Sequence, residues 1–373
     1  MRALASDSID LVVTSPPYPM IRMWDDLFIR QDPAVAEALD GGDGMGAFDR
    51  MHSQLTPVWH EIFRILKPGG IACINIGDAV RSVKEAFALY PNQARILSDM
   101  LQIGFSPLPQ ILWRKQTNAP NKFMGSGMLP PHAYVTLEHE HIIVMRKGTT
   151  RKPVNLPAQK KIRHRSAYFW EERNHWFSDV WMELKGTRQK LHARKGRNRS
   201  AAFPFEVPYR LINMFSMQAY MVADPFMGTG TTMLAAMASG RNSTGFENEP
   251  DFKDALTAGI LSVAKSANTK IDERLEAHLE FVNQRTVSGY EFKHWNRHYG
   301  FPVMTRQETD LLFNRPRHVE ETENNSFQVD YDDSLQPEDG AVMRSPLPDT
   351  NNPKTKPTSQ QFTQLMLFSG KKH

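Results

Sequence analysis

The segment 222-VADPFMGTGTT-232 sets Gly228 and Gly230 directly after a short apolar run and directly before a run of helix formers. A strand that turns on glycines into a helix commits the chain around it to an α/β arrangement. Elsewhere, β-branched apolar runs alternate with segments that are apolar at helical spacing. Residues 9–14, IDLVVT, read as a buried strand. Residues 48–66 read as a helix with Leu55, Val58, Trp59, Ile62, Phe63 and Leu66 on one face, stopped by the turn residues 67–70 before the strand IACINI. Helices are predicted at 92–103, 207–217, 231–239, 251–266 and 270–284, and strands at 110–113, in HIIVMRK, in AYMVADPF and in RNSTGFE. Alternation of this kind predicts a mostly parallel sheet covered by helices.

The 373 residues suffice for one large α/β domain with appendages or for two ordinary domains. The net charge of +4 says little, but its distribution is uneven. Residues 146–199 carry sixteen Lys/Arg against four Asp/Glu, which suits a polyanion, whereas residues 319–340 carry eight acids and no Lys/Arg. The single cysteine, Cys73, excludes an internal disulfide and a cysteine-rich zinc module, and nothing in the sequence calls for a metal. With no long apolar run and no secretory signal order at the N-terminus, a soluble cytoplasmic protein is expected.

The glycine turn lacks the Gly-Lys-Ser/Thr ending of a phosphate loop, and Met233 stands where a nicotinamide fingerprint wants a third glycine. What remains is a turn whose backbone can come close to a ligand that carries no pyrophosphate. About twenty residues on, Glu247 ends the next predicted strand, where an acid can accept bonds from two ribose hydroxyls. Strand, turn, helix, strand and acid in that order point to an adenosyl group rather than to a plain tight turn followed by a solvated acid.

The other punctuated strand end is 14-TSPPYP-19. Together, TSPPY and DPFMGTGTT in this order, with LKPGG, LEHEHIIVMRKG, SDVW and AFPFEVPYRLI, resemble the amino-group DNA methyltransferases that use S-adenosylmethionine, in the permuted branch where the catalytic motif precedes the cofactor motif. The likeness covers residues 1 to about 265. It implies a Rossmann-like methyltransferase sheet, with a catalytic half at 1–147, a basic target-recognition insert at 148–199, a cofactor-binding half with trailing helices at 200–316, and a disordered tail at 317–373. It further implies that Phe226, Gly228 and Gly230 line the methionine end of the cofactor, that Glu247 binds its ribose, that Phe203 and Pro204 brace it, and that Asp224 contacts it. A serine at the first motif position goes with N4 of cytosine in this family, and N6 of adenine stays open as the alternative. Relatives carry a further strand with a Gly-Asp pair ahead of the motif, which has no counterpart here before Ser15.

The chemistry follows from the residues. The lone pair of an exocyclic base amine is delocalised into the ring, so the nitrogen must be turned towards tetrahedral geometry before it can attack a sulfonium methyl. Two fixed acceptors on its hydrogens do this, and the Ser15 hydroxyl and the Pro16 carbonyl are the available pair. Pro16 and Pro17 restrict the backbone so that the acceptors arrive preorganised. Tyr18 offers a face for stacking, which offsets part of the few kcal/mol needed to extrude a base from a duplex. A cytosine-C5 enzyme would need a thiol nucleophile beside a proline; Cys73 precedes Ile74 inside an apolar strand and is expected in the core.

In the basic segment, Lys160, Lys161, Arg163 and Arg165, then Arg188, Arg194 and Arg197, are candidates for contacts to double-stranded DNA. In the tail, 364-QLMLF-368 resembles the peptide by which bacterial proteins dock on the replication sliding clamp; Gln364, Leu365, Leu367 and Phe368 would carry that contact, or would instead cover an apolar spot on the chain itself. The resulting expectation is a prokaryotic or phage-encoded modification enzyme of a restriction system. Its rivals are a non-catalytic DNA-binding protein, which the intact 15–18 hook disfavours, and a nicotinamide oxidoreductase, which Met233 disfavours.

Overall fold

A computed structural model of the chain describes residues 1–115, 125–151, 156–185 and 203–332, and the backbone of 360–368. The residues gather into two compact units, Met1–Arg151 with Asp179–Val207, and Lys152–Ser178 with Pro208–His373.

The first unit runs through β1 (Ile9–Thr14), α1 (Asp25–Gln31), α2 (Ala34–Gly41), α3 (Gly44–Ile65), β2 (Leu66–Ile76), the hairpin β3 (Ala79–Val83) and β4 (Ala86–Tyr90), α4 (Asn92–Ile103), β5 (Phe105–Pro107), β6 (Ile111–Arg114), β7 (His139–Lys147) and β8 (Val180–Trp181). Its sheet has the order β1-β2-β7-β6-β8, with β5 also on β7. All six residues of β1 are buried, the mark of a strand covered on both faces. β1 lies parallel to β2, with Val13 opposite Cys73, and β7 lies antiparallel to β2, with Ile76 opposite His141. The start of β7 therefore stands at the same edge as the ends of β1 and β2.

The predicted stop at 67–70 is instead part of β2. Ile9 pairs with Leu66 and Leu11 with Ile71, so the intervening residues bulge out of the ladder. On α3, Leu55, Trp59 and Ile62 are buried at spacings of four and three, as their periodicity predicts.

The second unit contains α5 (Pro157–Arg165), α6 (Trp170–Trp176), most of α7 (Glu206–Phe215), β9 (Met221–Asp224), α8 (Thr231–Ala238), β10 (Asn242–Glu247), α9 (Lys253–Leu261), α10 (Val263–Val287), the short pair β11 (His294–Trp295) and β12 (Pro302–Val303), β13 (Arg315–Thr322), β14 (Ser326–Asp332) and β15 (Gln360–Phe368). Its sheet runs β13-β14-β15-β10-β9. Met227, Met233, Met237, Leu256 and Ile260 pack with Phe327, Val329 and Tyr331 in one core. The two predicted trailing helices meet at Ser262, so that the second is longer and begins earlier than its periodicity suggests.

Part of the basic insert folds into this unit. Arg274 of α10 is buried and donates from Nε to Glu172 Oε1 at 2.5 Å and from Nη1 to the Tyr209 hydroxyl at 3.0 Å, while His278 Nδ1 meets Glu171 Oε1 at 2.6 Å. Burial works against the charge of Arg274, yet Glu172 and Tyr209 outweigh it and push its pKa above the ordinary value.

The tail expectation is corrected. Residues 315–332 form the β13–β14 hairpin, and Phe327, Val329 and Tyr331 alternate inward at period two. The acids that suggested disorder share these strands with that apolar face, so average composition hid the alternation. The docking-peptide expectation for Gln364, Leu365, Leu367 and Phe368 is corrected as well. Gln364 to Phe368 pair in parallel with Ser243 to Glu247 of β10, and β15 pairs on its other side with β14. This backbone is already committed as a strand between two others, rather than held free for a partner.

Candidate active site

In the first unit the hook leaves the end of β1, and Pro16, Pro17 and Pro19 are buried while Ser15 and Tyr18 are half-buried. Ligands of open α/β sheets bind at the carboxyl ends of parallel strands, and this is such an end. Tyr18 is gripped from several sides. Its hydroxyl donates to Glu140 Oε2 at 2.9 Å, and it accepts from Asn75 Nδ2 at 2.8 Å and from Ser15 Oγ at 3.2 Å. Asn75 Nδ2 also donates to Glu140 Oε2 at 2.7 Å, and Lys115 Nζ forms an ion pair with Glu140 Oε1 at 2.7 Å.

The directions of these bonds are fixed by chemistry. A carboxylate only accepts, so the single Tyr18 proton points to Glu140; the Ser15 proton must then point to Tyr18, which leaves the Ser15 lone pairs free to accept. Burial, reinforced by the neighbouring Glu140 charge, raises the Tyr18 pKa well above its ordinary value. Asn75 Oδ1 is buried with no hydrogen-bond partner among the described residues. Gly77 makes room for the ring, since a Cβ there would stand 3.2 Å from Tyr18 Cε2.

The far end of the hook is clamped by Asn92, which is fully buried and donates to Pro19 O at 3.1 Å and to Gly77 O at 3.0 Å. Its Oδ1 lies 2.9 Å from His52 Nε2, so that nitrogen carries the proton. Burial pushes the His52 pKa down to about 4. Met20 follows the hook with φ of 65° and donates its N–H to Met51 Sδ at 3.2 Å.

Sequence reasoning found Ser15 to Tyr18 but missed Asn75, Asn92, Lys115 and Glu140. Two left a trace: Asn75 is a lone polar residue in the apolar strand IACINI, and Glu140 an acid at the head of HIIVMRK.

In the second unit the glycine turn joins β9 to α8, with φ of 51° at Gly228 and 78° at Gly230. The Gly228 N–H donates to Glu247 Oε2 at 2.7 Å, and Glu247 Oε1 accepts from the N–H groups of Asn248 at 2.7 Å and Glu249 at 2.8 Å. Three of the roughly four acceptor positions of the carboxylate are thus used by backbone. Asp224 is buried and its Oδ1 accepts from the Phe226 N–H at 3.0 Å, fixing the start of the turn. A Cβ on Gly230 would meet Leu256 Cδ1 at 2.0 Å, whereas one on Gly228 would meet nothing within 4 Å, so the turn is packed on one side and open on the other. Phe203 and Pro204 belong to the first unit and are buried just ahead of α7, where Pro204 O accepts from the Val207 N–H at 3.0 Å.

On α5, Lys160, Lys161 and Arg163 are exposed, while Arg165 is half-buried beside a small polar cavity shared with Asn213, Gln218 and Arg241. Arg188, Arg194 and Arg197 lie outside the described residues.

Residues 9–258 match the N6/N4 methyltransferase family model, described as DNA methylase. The chain is 47% identical over 332 residues to the Type II methyltransferase M.MthZI of Methanothermobacter thermautotrophicus, covering 89% of this chain and 92% of that protein. It is 44% identical over 299 residues to the Type II methyltransferase M.MjaI of Methanocaldococcus jannaschii, covering 76% of this chain and 93% of that one. Among solved structures it is similar to the DNA modification methylase TTHA0409 of Thermus thermophilus, crystallised with S-adenosyl-L-methionine, at 28% identity and a TM-score of 0.53 over 69% of this chain and 87% of that one. The fold is that of a Rossmann-like α/β methyltransferase, and with the family match spanning hook and glycine turn alike, the chain belongs to the DNA methylase family.

Proposed function

We propose that this DNA methyltransferase uses S-adenosylmethionine to methylate the exocyclic N4 of a cytosine extruded from duplex DNA, as the modification enzyme of a restriction system. The observation that carries the reading is the Ser15 hydroxyl, whose proton is directed to Tyr18 and whose oxygen is left to accept from an amine. With the Pro16 carbonyl as second acceptor, the hook draws both amine hydrogens out of the ring plane and returns the lone pair to nitrogen. The Tyr18 ring, fixed by Asn75 and Glu140 at its hydroxyl, provides the stacking face. A carbon-directed route through a thiolate has no support, because burial raises the pKa of Cys73 far above its ordinary value and leaves it inert in the core.

The glycine turn fits the cofactor. Its open side at Gly228 admits a ligand against the backbone, and Glu247 Oε2 keeps an acceptor position for a ribose hydroxyl. Phe226, Gly228 and Gly230 would line the methionine end, Asp224 would hold the turn in shape, and Phe203 with Pro204 would brace the ligand. When bound, the cofactor supplies a methyl group made electrophilic by its sulfonium. Lys160, Lys161 and Arg163 on the exposed face of α5 would neutralise phosphates, and Arg165, Arg188, Arg194 and Arg197 extend the same basic segment. The restriction-system role rests on the likeness to two Type II methyltransferases.

Mapping modified bases in the DNA of a host expressing the gene tests the reading. N4-methylcytosine at one short recurring sequence is expected; N6-methyladenine there would move the target atom, and unmodified DNA would overturn the reading.

A further inference from the structure

The bonds around Tyr18 form a directed chain. Ser15 Oγ donates to the Tyr18 hydroxyl at 3.2 Å, and that hydroxyl donates to Glu140 Oε2 at 2.9 Å, so every hydroxyl proton already points towards one carboxylate. Glu140 is buried, sits at the head of β7, and is held in place by Asn75 on Oε2 and Lys115 on Oε1. An aromatic residue needed only as a stacking face has no use for a hydroxyl bonded into such a chain, and phenylalanine would stack as well.

We propose that Glu140 is the terminal acceptor of the proton released by the target amine, reached through Ser15 Oγ and the Tyr18 hydroxyl. The inference rests on the amine reading above and extends it. As the amine lone pair forms the new N–C bond, the C–S bond breaks and its electron pair stays on sulfur. The nitrogen, made positive, gives one proton to Ser15 Oγ; Ser15 gives its own to the Tyr18 oxygen; Tyr18 gives its own to Glu140 Oε2. Ser15 and Tyr18 end as they began, the methylated base is neutral, and the charges of sulfonium and carboxylate are both discharged. Tyr18 is suited to pass a proton without storing its loss, because burial beside Glu140 disfavours the phenolate. Glu140 acts only through Tyr18 and Ser15 and never touches the base, so it is a positioning residue for the proton.

The test compares wild type, Glu140→Gln, Tyr18→Phe and the double variant in single-turnover methyl transfer to duplex DNA, with cofactor and DNA affinity measured separately by calorimetry. A proton inventory in mixed light and heavy water accompanies them. Glu140→Gln keeps shape and hydrogen bonding while removing the proton sink, and Tyr18→Phe keeps the ring while removing the middle oxygen, so each probes the link independently. Each single variant is expected to slow transfer ~10²-fold, at the low end of general acid–base effects, with both affinities within about twofold. The double variant should be no slower than either single one, and the curved inventory of wild type should be lost in both. Wild-type turnover in Glu140→Gln, or a double variant slowed by the product of the single effects, would overturn the relay while leaving the amine reading intact. Failure of wild type itself to label DNA would instead sink that reading, and the relay with it.

Discussion

Gly228 and Glu247, 19 residues apart, are joined by a 2.7 Å bond from backbone N–H to carboxylate that ties the glycine turn to the end of β10. The two glycines of the turn do different work. Gly230→Ala drives a Cβ into Leu256 at a left-handed φ of 78° and should destabilise the protein by about 2–3 kcal/mol. Gly228→Ala meets open space, so it should cost only about 1 kcal/mol of backbone strain but obstruct the ligand side of the turn. Denaturation midpoints and calorimetric S-adenosylmethionine affinity separate the two: Gly230→Ala should lose mainly stability and Gly228→Ala mainly affinity.

Asn92→Ala removes both donors that hold Pro19 O and Gly77 O and leaves the His52 N–H without its acceptor. Buried orphans of this kind cost about 1–3 kcal/mol each, so a loss of about 3 kcal/mol is expected in urea unfolding. The hook should loosen with it, and single-turnover transfer should fall more than cofactor affinity does. Unchanged stability would show that the clamp is not what holds the hook.

The fully buried His52 gives the protein a specific acid sensitivity. Its folded pKa of about 4 lies below the ordinary 6.5, so between those values the unfolded chain binds more protons than the folded one. Stability from this group is present in full above about pH 6.5 and is lost as pH falls towards 4, by about 3 kcal/mol in all. In His52→Gln that part of the pH dependence should vanish; thermal unfolding of both proteins across this range checks it.

Arg274 anchors part of the basic insert to α10 through Glu172. Arg274→Ala leaves a mostly buried carboxylate without its partner and should cost about 3–5 kcal/mol, whereas Arg274→Met with Glu172→Gln removes both charges and should recover much of that. Equal midpoints for the single and double variants would contradict this account of the contact.

Much of this was legible in the sequence where the signal is local. The helix at 92–103 and the strands at IDLVVT and RNSTGFE follow from periodicity, and the hook and glycine turn announce themselves through proline and glycine. The network around Tyr18 was not, because Glu140 reaches the hook only through the antiparallel pairing of β7 with β2, a contact between residues 122 positions apart. The β13–β14 hairpin was hidden by acids that share its strands with a buried Phe327, Val329 and Tyr331. The sheet position of 360–368 depends on strands distant in sequence, which no window of that segment contains.

The central claim is that Ser15 presents an acceptor to an exocyclic amine. Duplex DNA treated with labelled S-adenosylmethionine and either wild type or Ser15→Ala, then digested to nucleosides, addresses it directly. The account predicts label in N4-methylcytosine with wild type and a loss of ~10²-fold or more with Ser15→Ala at undiminished cofactor binding. Label in 5-methylcytosine, or wild-type labelling by Ser15→Ala, would contradict it.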